Sequence, residues 1–154
     1  HDFRWQAMNF HDPVPGKSEA HQSIHADRSF FPKSIGYITV IFTFDDMTVE
    51  NGATRIVPGS HKGPHPRNAL EDAQAPHPEE ELLVAPAGTV AVFNSHTWHG
   101  GTLNKSKDLQ RRAMHGYFTA REHGQQLNQR EYLRYETWKR ISPAARYILN
   151  VDVD

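Results

Sequence analysis

Apolar and β-branched residues occur along this chain in short runs, and turn-forming residues separate the runs. The strongest run is residues 35–44, where Ile, Val, Thr, Tyr and Phe dominate, a composition typical of a β-strand. Shorter runs bounded by Gly, Pro, Asn or Asp predict further strands at residues 53–57, 81–84, 88–93 and 111–119. Several short strands separated by turns indicate an all-β sandwich or barrel.

The periodicity becomes helical near the C-terminus. In residues 126–141, apolar side chains recur at a spacing that places them on one side of a helix, namely Leu127, Tyr132, Leu133 and Tyr135. A second, short helix is predicted to begin after Ser142 and to end at Leu149, because Pro143 fits the first helical position. The sequence therefore predicts an all-β core with appended C-terminal helices.

The other segments are predicted to be loops or carry weak signals. Residues 62–78 are rich in Pro, His, Asn and Ala, and residues 95–108 form a second long predicted loop. Residues 1–24 show few clear signals beyond scattered aromatic side chains and a turn. The 154 residues are predicted to form one domain, with a barrel core at about 23–120 and a helical segment at 126–150.

Three residues form a candidate metal site. In an extended segment, His25 and Asp27 point to the same face, because residues two apart alternate back to one side. His99 would add a second imidazole. Two histidines and one carboxylate on one face of an ion are typical of non-haem Fe(II) oxygenases.

The His-x-Asp triplet alone is weak evidence, since the chain has 11 histidines. An ordinary ion pair is the simplest alternative for His25 and Asp27. Surface or loop positions are favoured for a further set of histidines, namely His11, His21, His65, His77 and His123. The metal hypothesis therefore depends on the sequence around the triplet.

Three stretches carry a resemblance to a known family. They are Ser-Ile-His-Ala-Asp at residues 23–27, Asn-Gly-Ala-Thr-Arg-Ile-Val-Pro-Gly-Ser-His at 51–61, and Trp-His-Gly-Gly-Thr-Leu-Asn-Lys-Ser at 98–106, followed by Arg-Arg-Ala at 111–113. In order and approximate spacing, they resemble the phytanoyl-CoA dioxygenase family of Fe(II)/2-oxoglutarate oxygenases, over about residues 23–119.

The resemblance implies a double-stranded β-helix, a cupin-like jelly-roll barrel. It also implies Fe(II), 2-oxoglutarate and O2 as cofactor and co-substrates, with His25, Asp27 and His99 as the metal ligands. Asp27 favours hydroxylation over halogenation, because halogenating relatives lack the carboxylate. The reaction would hydroxylate a small organic substrate and release succinate and CO2.

Arg111 is expected to bind the far carboxylate of 2-oxoglutarate, because a planar guanidinium pairs with a carboxylate through two hydrogen bonds. Arg112 is its rival, since the preceding loop is one residue longer than the family pattern. If Arg111 faces inward, strand alternation turns Ala113, His115 and Tyr117 inward as well. Thr39 and Thr43 are further expected donors to the co-substrate.

The amino-acid composition argues against several classes of function. Seventeen Lys and Arg against 18 Asp and Glu give a net charge of −1 and no basic stripe, so nothing favours nucleic-acid binding. No apolar run is long enough to span a membrane, and no signal-peptide pattern opens the chain. With 0 Cys, disulfides and thiolate metal sites are excluded, which fits a reducing cytoplasm.

The family resemblance implies longer relatives, with helices and leading strands before the barrel. The chain is therefore expected to be part of a longer reading frame, or a processed form, of a bacterial or environmental family member. An uncovered sheet face would favour self-association, so a homo-oligomer is an expected assembly. Two alternatives to the oxygenase stay open: a zinc-dependent hydrolase, and a non-catalytic barrel that binds a metal or small ligand.

Overall fold

The structure, a computed structural model that describes residues 2–16, 21–27 and 36–152, is built on two antiparallel sheets. Within these residues the strands are β1 (Phe3–His11), β2 (Tyr37–Thr43), β3 (Thr54–Val57), β4 (Glu81–Leu82), β5 (Val90–Asn94), β6 (Trp98–Gly101) and β7 (Ala113–Ala120). The larger sheet has the order β1-β7-β2-β5, and the smaller sheet has the order β4-β3-β6.

The strand order is that of a jelly roll. His25 forms an isolated antiparallel bridge with His99, so the segment around His25 takes the place of a further strand beside β6. If this segment is counted as the second of eight strands, β2 to β7 become strands 3 to 8. The strand order of the larger sheet is then 1-8-3-6, and that of the smaller sheet is 5-4-7-2. Each sheet then takes its strands from both halves of the chain, as two interlocked Greek keys require. The predicted fold class is confirmed.

The alternation of side chains along the strands separates a cavity from an outer face. On β7, His115 and Tyr117 line a cavity between the sheets, and Met114 and Phe118 point to the other side. The outer face of the larger sheet is apolar and partly uncovered. Its most exposed side chains among the described residues are Phe10 at 71% and Val92 at 62%. Self-association through this face stays a prediction.

The predicted turn at Asn51-Gly52 is present and tightly packed. Gly52 has a φ of 93°, and a Cβ at this position would lie 2.7 Å from the Thr102 carbonyl oxygen. The Asn51 side chain accepts from Thr48 N and donates to the carbonyl groups of Asp46 and Gln110. This segment is therefore structural, as its sequence indicates.

Several strand boundaries differ from the prediction. The strongest predicted strand is observed as β2, whose first predicted residue, Ile35, lies outside the described residues. β6 lies inside the loop predicted at 95–108, and that prediction is wrong. Its Trp-His-Gly-Gly sequence lacks a strand pattern because the glycines are required by close neighbours: a Cβ at Gly100 would lie 3.0 Å from the Gln22 carbonyl oxygen.

The N-terminal boundary of the barrel also differs from the predicted one. β1 pairs with β7 along its length, so the sheet includes residues well before the boundary predicted at about 23. β7 begins at Ala113, which places Arg111 and Arg112 just before the strand. The predicted loop at 62–78 carries two single turns of 3-10 helix, Ser60–Lys62 and Pro66–Asn68.

The C-terminal segment forms three short helices: α1 (Gln129–Tyr132), α2 (Tyr135–Arg140) and α3 (Pro143–Leu149). The helix predicted at 126–141 is interrupted because Leu133 and Arg134 have extended backbone conformations. α3 begins as predicted, and the Ser142 hydroxyl accepts from Ala145 N. In the described part of the chain, no helix has the length and apolar character needed to cross a membrane.

Candidate metal centre

The backbone brings the two candidate histidines side by side. His25 N donates to the His99 carbonyl oxygen and His99 N donates to the His25 carbonyl oxygen, both at 2.9 Å. Asp27 N donates to the Ser95 carbonyl oxygen at 2.9 Å, which links this segment to the end of β5 in the larger sheet. One ligand atom from each of His25, Asp27 and His99 lies within 4.8 Å of the others. The structure therefore brings together all three predicted ligands.

The Asp27 carboxylate lies between the two imidazoles. Its oxygens are 3.8 Å from His25 Nε2 and 3.5 Å from His99 Nε2. Thr39 Oγ1 donates to Asp27 Oδ2 at 2.7 Å. Burial alone would raise the pKa of Asp27, but the hydrogen bonds from His99 and Thr39 outweigh it and the pKa is lowered. The carboxylate is therefore ionised at neutral pH, as a metal ligand must be.

Each imidazole is held in the tautomer that a metal needs. His25 Nδ1 lies 2.9 Å from the Ser23 carbonyl oxygen, and His99 Nδ1 lies 2.8 Å from the Thr97 carbonyl oxygen. A carbonyl can only accept, so in the neutral ring Nδ1 carries the hydrogen and Nε2 presents a lone pair. Both Nε2 atoms face Asp27. The donor set, its charge and its orientation fit a divalent metal ion.

The pKa values of the two histidines shift in opposite directions. Burial lowers the pKa of His25, with a further contribution from His99. Burial also acts to lower the pKa of His99, but the hydrogen bond and negative charge of Asp27 outweigh it and raise the pKa. A cation bound between these groups would displace that proton, so metal affinity is expected to increase with pH.

A cavity of about 240 Å³ opens beside the three groups, between the two sheets. Its lining comes from both sheets and from the segment before His25: Asn9, His11, Gln22, His25, Thr54, His99, Gly100, Gly101, Arg111, His115 and Tyr117. Of the predicted inward set, His115 and Tyr117 line the cavity together with Arg111, whereas Ala113 is buried and is not among the lining residues. A small polar molecule in this space would contact the metal ligands at one side and a guanidinium at another.

The two adjacent arginines have different environments. Arg111 is 4% exposed, lines the cavity, and has no hydrogen-bond partner for its Nε among the described residues. Its burial lowers its pKa to about 10, so the guanidinium stays charged at neutral pH. Arg112 points outward and forms an ion pair with Asp45 at 2.7 Å. Of the two rivals, only Arg111 reaches the cavity.

The loop before Arg111 is fixed by side-chain hydrogen bonds. Asn104 Nδ2 donates to the Leu109 carbonyl oxygen at 2.8 Å, and Ser106 Oγ donates to Asn104 Oδ1 at 2.6 Å. Both side chains are buried. They shape the chain between His99 and Arg111, as short polar residues commonly do in loops.

Thr39 and Thr43 have partners within the protein. Thr39 Oγ1 contacts Asp27 and Ser95, and Thr43 Oγ1 donates to the Pro86 carbonyl oxygen at 3.0 Å. Neither residue lines the cavity. The geometry thus contradicts their predicted contact with the co-substrate, because an inward position on β2 was not enough to reach the open space. Thr39 instead orients the carboxylate of Asp27.

Other cavity residues were missed or assigned to the surface. Thr54, on the short strand β3, is 2% exposed and had no sequence signal for a site. His11 was assigned to a loop or surface position, but it lies at the end of β1 and its ring stacks on His115 with 4.1 Å between the ring centroids. Its place at the end of β1 could have been found only with β1 itself, which the sequence pattern did not predict.

His115 should make the fold sensitive to acid. Burial, followed by the nearby His11 and His99, lowers its pKa to about 3. Between that pH and the ordinary value of 6.5, the unfolded chain binds a proton that the folded chain does not, so folding stability falls as the pH is lowered. From pH 7 to pH 5, we expect His115 alone to reduce the free energy of unfolding by about 2 kcal/mol.

Urea unfolding of the metal-free protein at the two pH values measures this loss. His115→Phe keeps an aromatic ring beside His11 but removes the titrating group, so its stability should fall less between the two pH values. The same pH dependence in both proteins would contradict the assignment of this sensitivity to His115.

The sequence model of the phytanoyl-CoA dioxygenase (PhyH) family matches residues 1–113, well over half of the chain. The chain belongs to this family. The match begins at residue 1, so the shared region includes β1 as well as the three motifs that carried the resemblance. It also includes His25, Asp27, His99 and Arg111.

A curated fungal relative, dioxygenase aneA from Aspergillus aculeatus, is 32% identical over 128 residues, which are 73% of this chain and 41% of that protein. The PhyH-family chain therefore spans less than half the length of this relative.

Solved structures share the fold at lower sequence identity. HygX from Streptomyces hygroscopicus was solved with nickel and 2-oxoglutarate bound. It has a TM-score of 0.61 and 15% sequence identity to this chain, and the match covers 77% of this chain and 58% of the HygX chain. The epimerase SnoN from nogalamycin biosynthesis, in complex with Fe3+ and alpha-ketoglutarate, has a TM-score of 0.59 and 22% identity over 76% of this chain and 50% of its own. At these identities the likeness concerns the fold, and it supports the jelly-roll assignment.

Proposed function

We propose that this chain carries the catalytic centre of an Fe(II)- and 2-oxoglutarate-dependent dioxygenase that hydroxylates a small organic substrate. The observation that carries the proposal is the shared cavity. His25, Asp27 and His99 converge beside it, and Arg111 is buried in its wall, with no hydrogen-bond partner for its Nε within the described part of the chain. Family membership and the cofactors of HygX and SnoN support the same proposal.

Each residue has a specific role in the proposed site. His25, Asp27 and His99 would hold the iron beside the cavity through two imidazole nitrogens and one carboxylate oxygen. Arg111 neutralises the distal carboxylate of 2-oxoglutarate inside the protein, where an unpaired charge would be costly. When bound, iron would supply the oxidising chemistry with 2-oxoglutarate and O2 as co-substrates: one oxygen atom of O2 ends in succinate as 2-oxoglutarate loses CO2, and the other ends in the hydroxylated substrate.

The test combines spectroscopy with product analysis. Anaerobic addition of Fe(II) and 2-oxoglutarate should produce a weak visible charge-transfer band, and admission of air should then yield succinate. A zinc hydrolase or a non-catalytic metal-binding barrel gives no succinate. A screen for small molecules that stimulate succinate release identifies the substrate class, and a product heavier by one oxygen atom separates hydroxylation from epimerisation.

Arg111→Ala should raise the apparent KM for 2-oxoglutarate by about 100-fold, since a charge-assisted pair with a buried carboxylate is lost. Succinate production at increasing 2-oxoglutarate measures the change. Arg112→Ala is the matched control, because it removes an adjacent guanidinium that points to solvent and pairs with Asp45. An unchanged KM in Arg111→Ala, with an increased KM in Arg112→Ala, would show that Arg112 binds the distal carboxylate instead.

A further inference from the structure

The cavity beside the metal centre is lined by polar side chains. Of its eleven lining residues, two are glycines and the other nine carry polar groups. Within the described part of the chain, no Val, Leu, Ile, Met, Phe or Trp lines it. An apolar molecule bound here would remove water from these polar groups without replacing its hydrogen bonds, which is costly. The wall therefore favours a substrate that can itself form hydrogen bonds.

The charges in the cavity are balanced once the co-substrate is bound. Arg111 is the only permanently charged side chain among the described lining residues. Burial and the charge of Arg111 lower the pKa of His11, and burial followed by His11 lowers the pKa of His115 to about 3, so both rings are neutral at pH 7. The two carboxylates of 2-oxoglutarate would balance Arg111 and the positive charge left on the metal beside Asp27. This wall then has no charge left to pair with an anionic substrate.

Tyr117 lies at the metal end of the cavity, away from Arg111. It is the register partner of Thr39, whose hydroxyl donates to Asp27. Arg111, by contrast, precedes the first residue of β7. At about 3.3 Å per residue, the backbone positions of Arg111 and Tyr117 are roughly 20 Å apart along the extended chain. A co-substrate anchored at Arg111 reaches the metal from that direction, so Tyr117 is left to face the substrate.

Tyr117 and Asn9 together offer both donors and acceptors. Burial, followed by the negative charge of Asp27, raises the pKa of Tyr117 to about 12, whereas Asn9 acts in the opposite direction. The phenol therefore keeps its proton at neutral pH and can donate it. Asn9 lies on β1 opposite His115 and also lines the cavity, with an amide that donates and accepts. A hydroxyl group, which is both donor and acceptor, suits this pair.

We infer that the substrate is a compact, uncharged molecule rich in hydroxyl groups, in chemical class a small polyol, and that Asn9 and Tyr117 bind its hydroxyl groups. This inference rests on the proposed function. The cavity volume of about 240 Å³ must hold 2-oxoglutarate as well, so the space left for the substrate is small. A long acyl chain would find no apolar wall among the described residues.

Proton relaxation of small probes in the presence of the Mn(II)- and 2-oxoglutarate-loaded chain tests the inference without turnover. Paramagnetic Mn(II) accelerates relaxation only in molecules that bind close to it, and Mg(II)-loaded protein gives the diamagnetic baseline. The probes are erythritol, 1-butanol and butyrate, which have carbon chains of equal length. Erythritol should bind near the metal at least about 10-fold more tightly than either of the others, because it gains additional hydrogen bonds and carries no charge.

Tyr117→Phe and Asn9→Ala should each bind erythritol about 3- to 10-fold more weakly, because each loses a hydrogen bond. Their affinity for 2-oxoglutarate should be unchanged, which a general disturbance of the fold would not allow. Tyr147→Phe is the matched control. It also removes a tyrosine hydroxyl, but one that donates to Asp2, and Tyr147 does not line the cavity. Its affinities should equal those of the wild type.

The outcomes separate this inference from the proposed function. Mn(II)-loaded wild-type protein that does not bind 2-oxoglutarate would overturn both. If 2-oxoglutarate binds, but 1-butanol or butyrate binds near the metal as tightly as erythritol, only the substrate class is overturned. The same holds if none of the three probes binds there. A preference for erythritol that both variants retain at the wild-type affinity would overturn the roles of Asn9 and Tyr117.

Discussion

Asp27→Ala is expected to weaken Fe(II) binding by more than about 100-fold and to abolish succinate production, because it removes the only charged ligand of the proposed triad. The two imidazoles that remain are neutral ligands. Because their Nδ1 atoms are bonded to the carbonyl oxygens of Ser23 and Thr97, neither ring can supply negative charge to the metal ion. Competition with a metal-binding dye under anaerobic conditions measures the affinity.

Thr39→Val tests the support of the carboxylate rather than the carboxylate itself. It removes the 2.7 Å hydrogen bond to Asp27 Oδ2 and keeps the shape of the side chain. We expect metal affinity to fall by about 10- to 100-fold, as is usual when a residue that orients a ligand is lost. The order of affinities should therefore be wild type, then Thr39→Val, then Asp27→Ala.

Asp45→Ala is the matched control for both variants. Asp45 is also a hydrogen-bonded carboxylate, and Arg112 lowers its pKa to about 2, but it pairs with Arg112 outside the cavity. Metal affinity should be unaffected. Wild-type affinity in Asp27→Ala would contradict the proposed ligand set, whatever the other two variants do.

The candidate site was predictable where its residues lie in short motifs with a geometric meaning. His25 and Asp27 share a face of an extended segment, and strand alternation from Arg111 correctly brought His115 and Tyr117 to the same wall. The choice of Arg111 over Arg112 came from counting back along the predicted strand from Phe118. These inferences needed only local backbone geometry.

The features that the sequence did not reveal depend on contacts between distant segments. β6 was predicted as part of a loop because its Trp-His-Gly-Gly sequence has no strand pattern, and its glycines are required by the nearby Gln22 backbone and the Arg111 side chain. β1 was missed because its alternation of apolar and polar residues changes phase between Trp5 and Ala7, where the pairing with β7 shifts register. Likewise, the hydroxyls of Thr39 and Thr43 looked equivalent on β2 until their partners were known.

Arg55 is the clearest example of a residue whose role only the structure reveals. It lies within the family motif on β3 and is 1% exposed. Its guanidinium donates to the Gln22 carbonyl oxygen at 2.6 Å and forms an ion pair with Glu80 at 3.5 Å. It also donates to three loop carbonyl groups, those of Ala73, Gln74 and Ala75. Arg55 thus joins the loop at 73–80 to the segment that leads into His25.

Arg55→Met should reduce the free energy of unfolding by about 3 to 5 kcal/mol, because it removes the four backbone hydrogen bonds and the Glu80 ion pair of a buried guanidinium while keeping the length of the side chain. Urea unfolding of the metal-free protein measures this loss. Arg112→Met is the control, since the exposed pair with Asp45 contributes little to stability. A similar small loss in both variants would contradict the role of Arg55.

The same variant should also weaken metal binding, since Ile24 N donates to the Ala73 carbonyl oxygen at 2.7 Å and the loop therefore holds the residue next to His25. If the loop detaches, His25 loses the support that keeps its Nε2 facing Asp27. Metal titration under conditions where Arg55→Met is still folded separates the two effects: reduced affinity indicates that Arg55 positions the metal centre, whereas unchanged affinity in a destabilised protein would restrict Arg55 to holding the fold together.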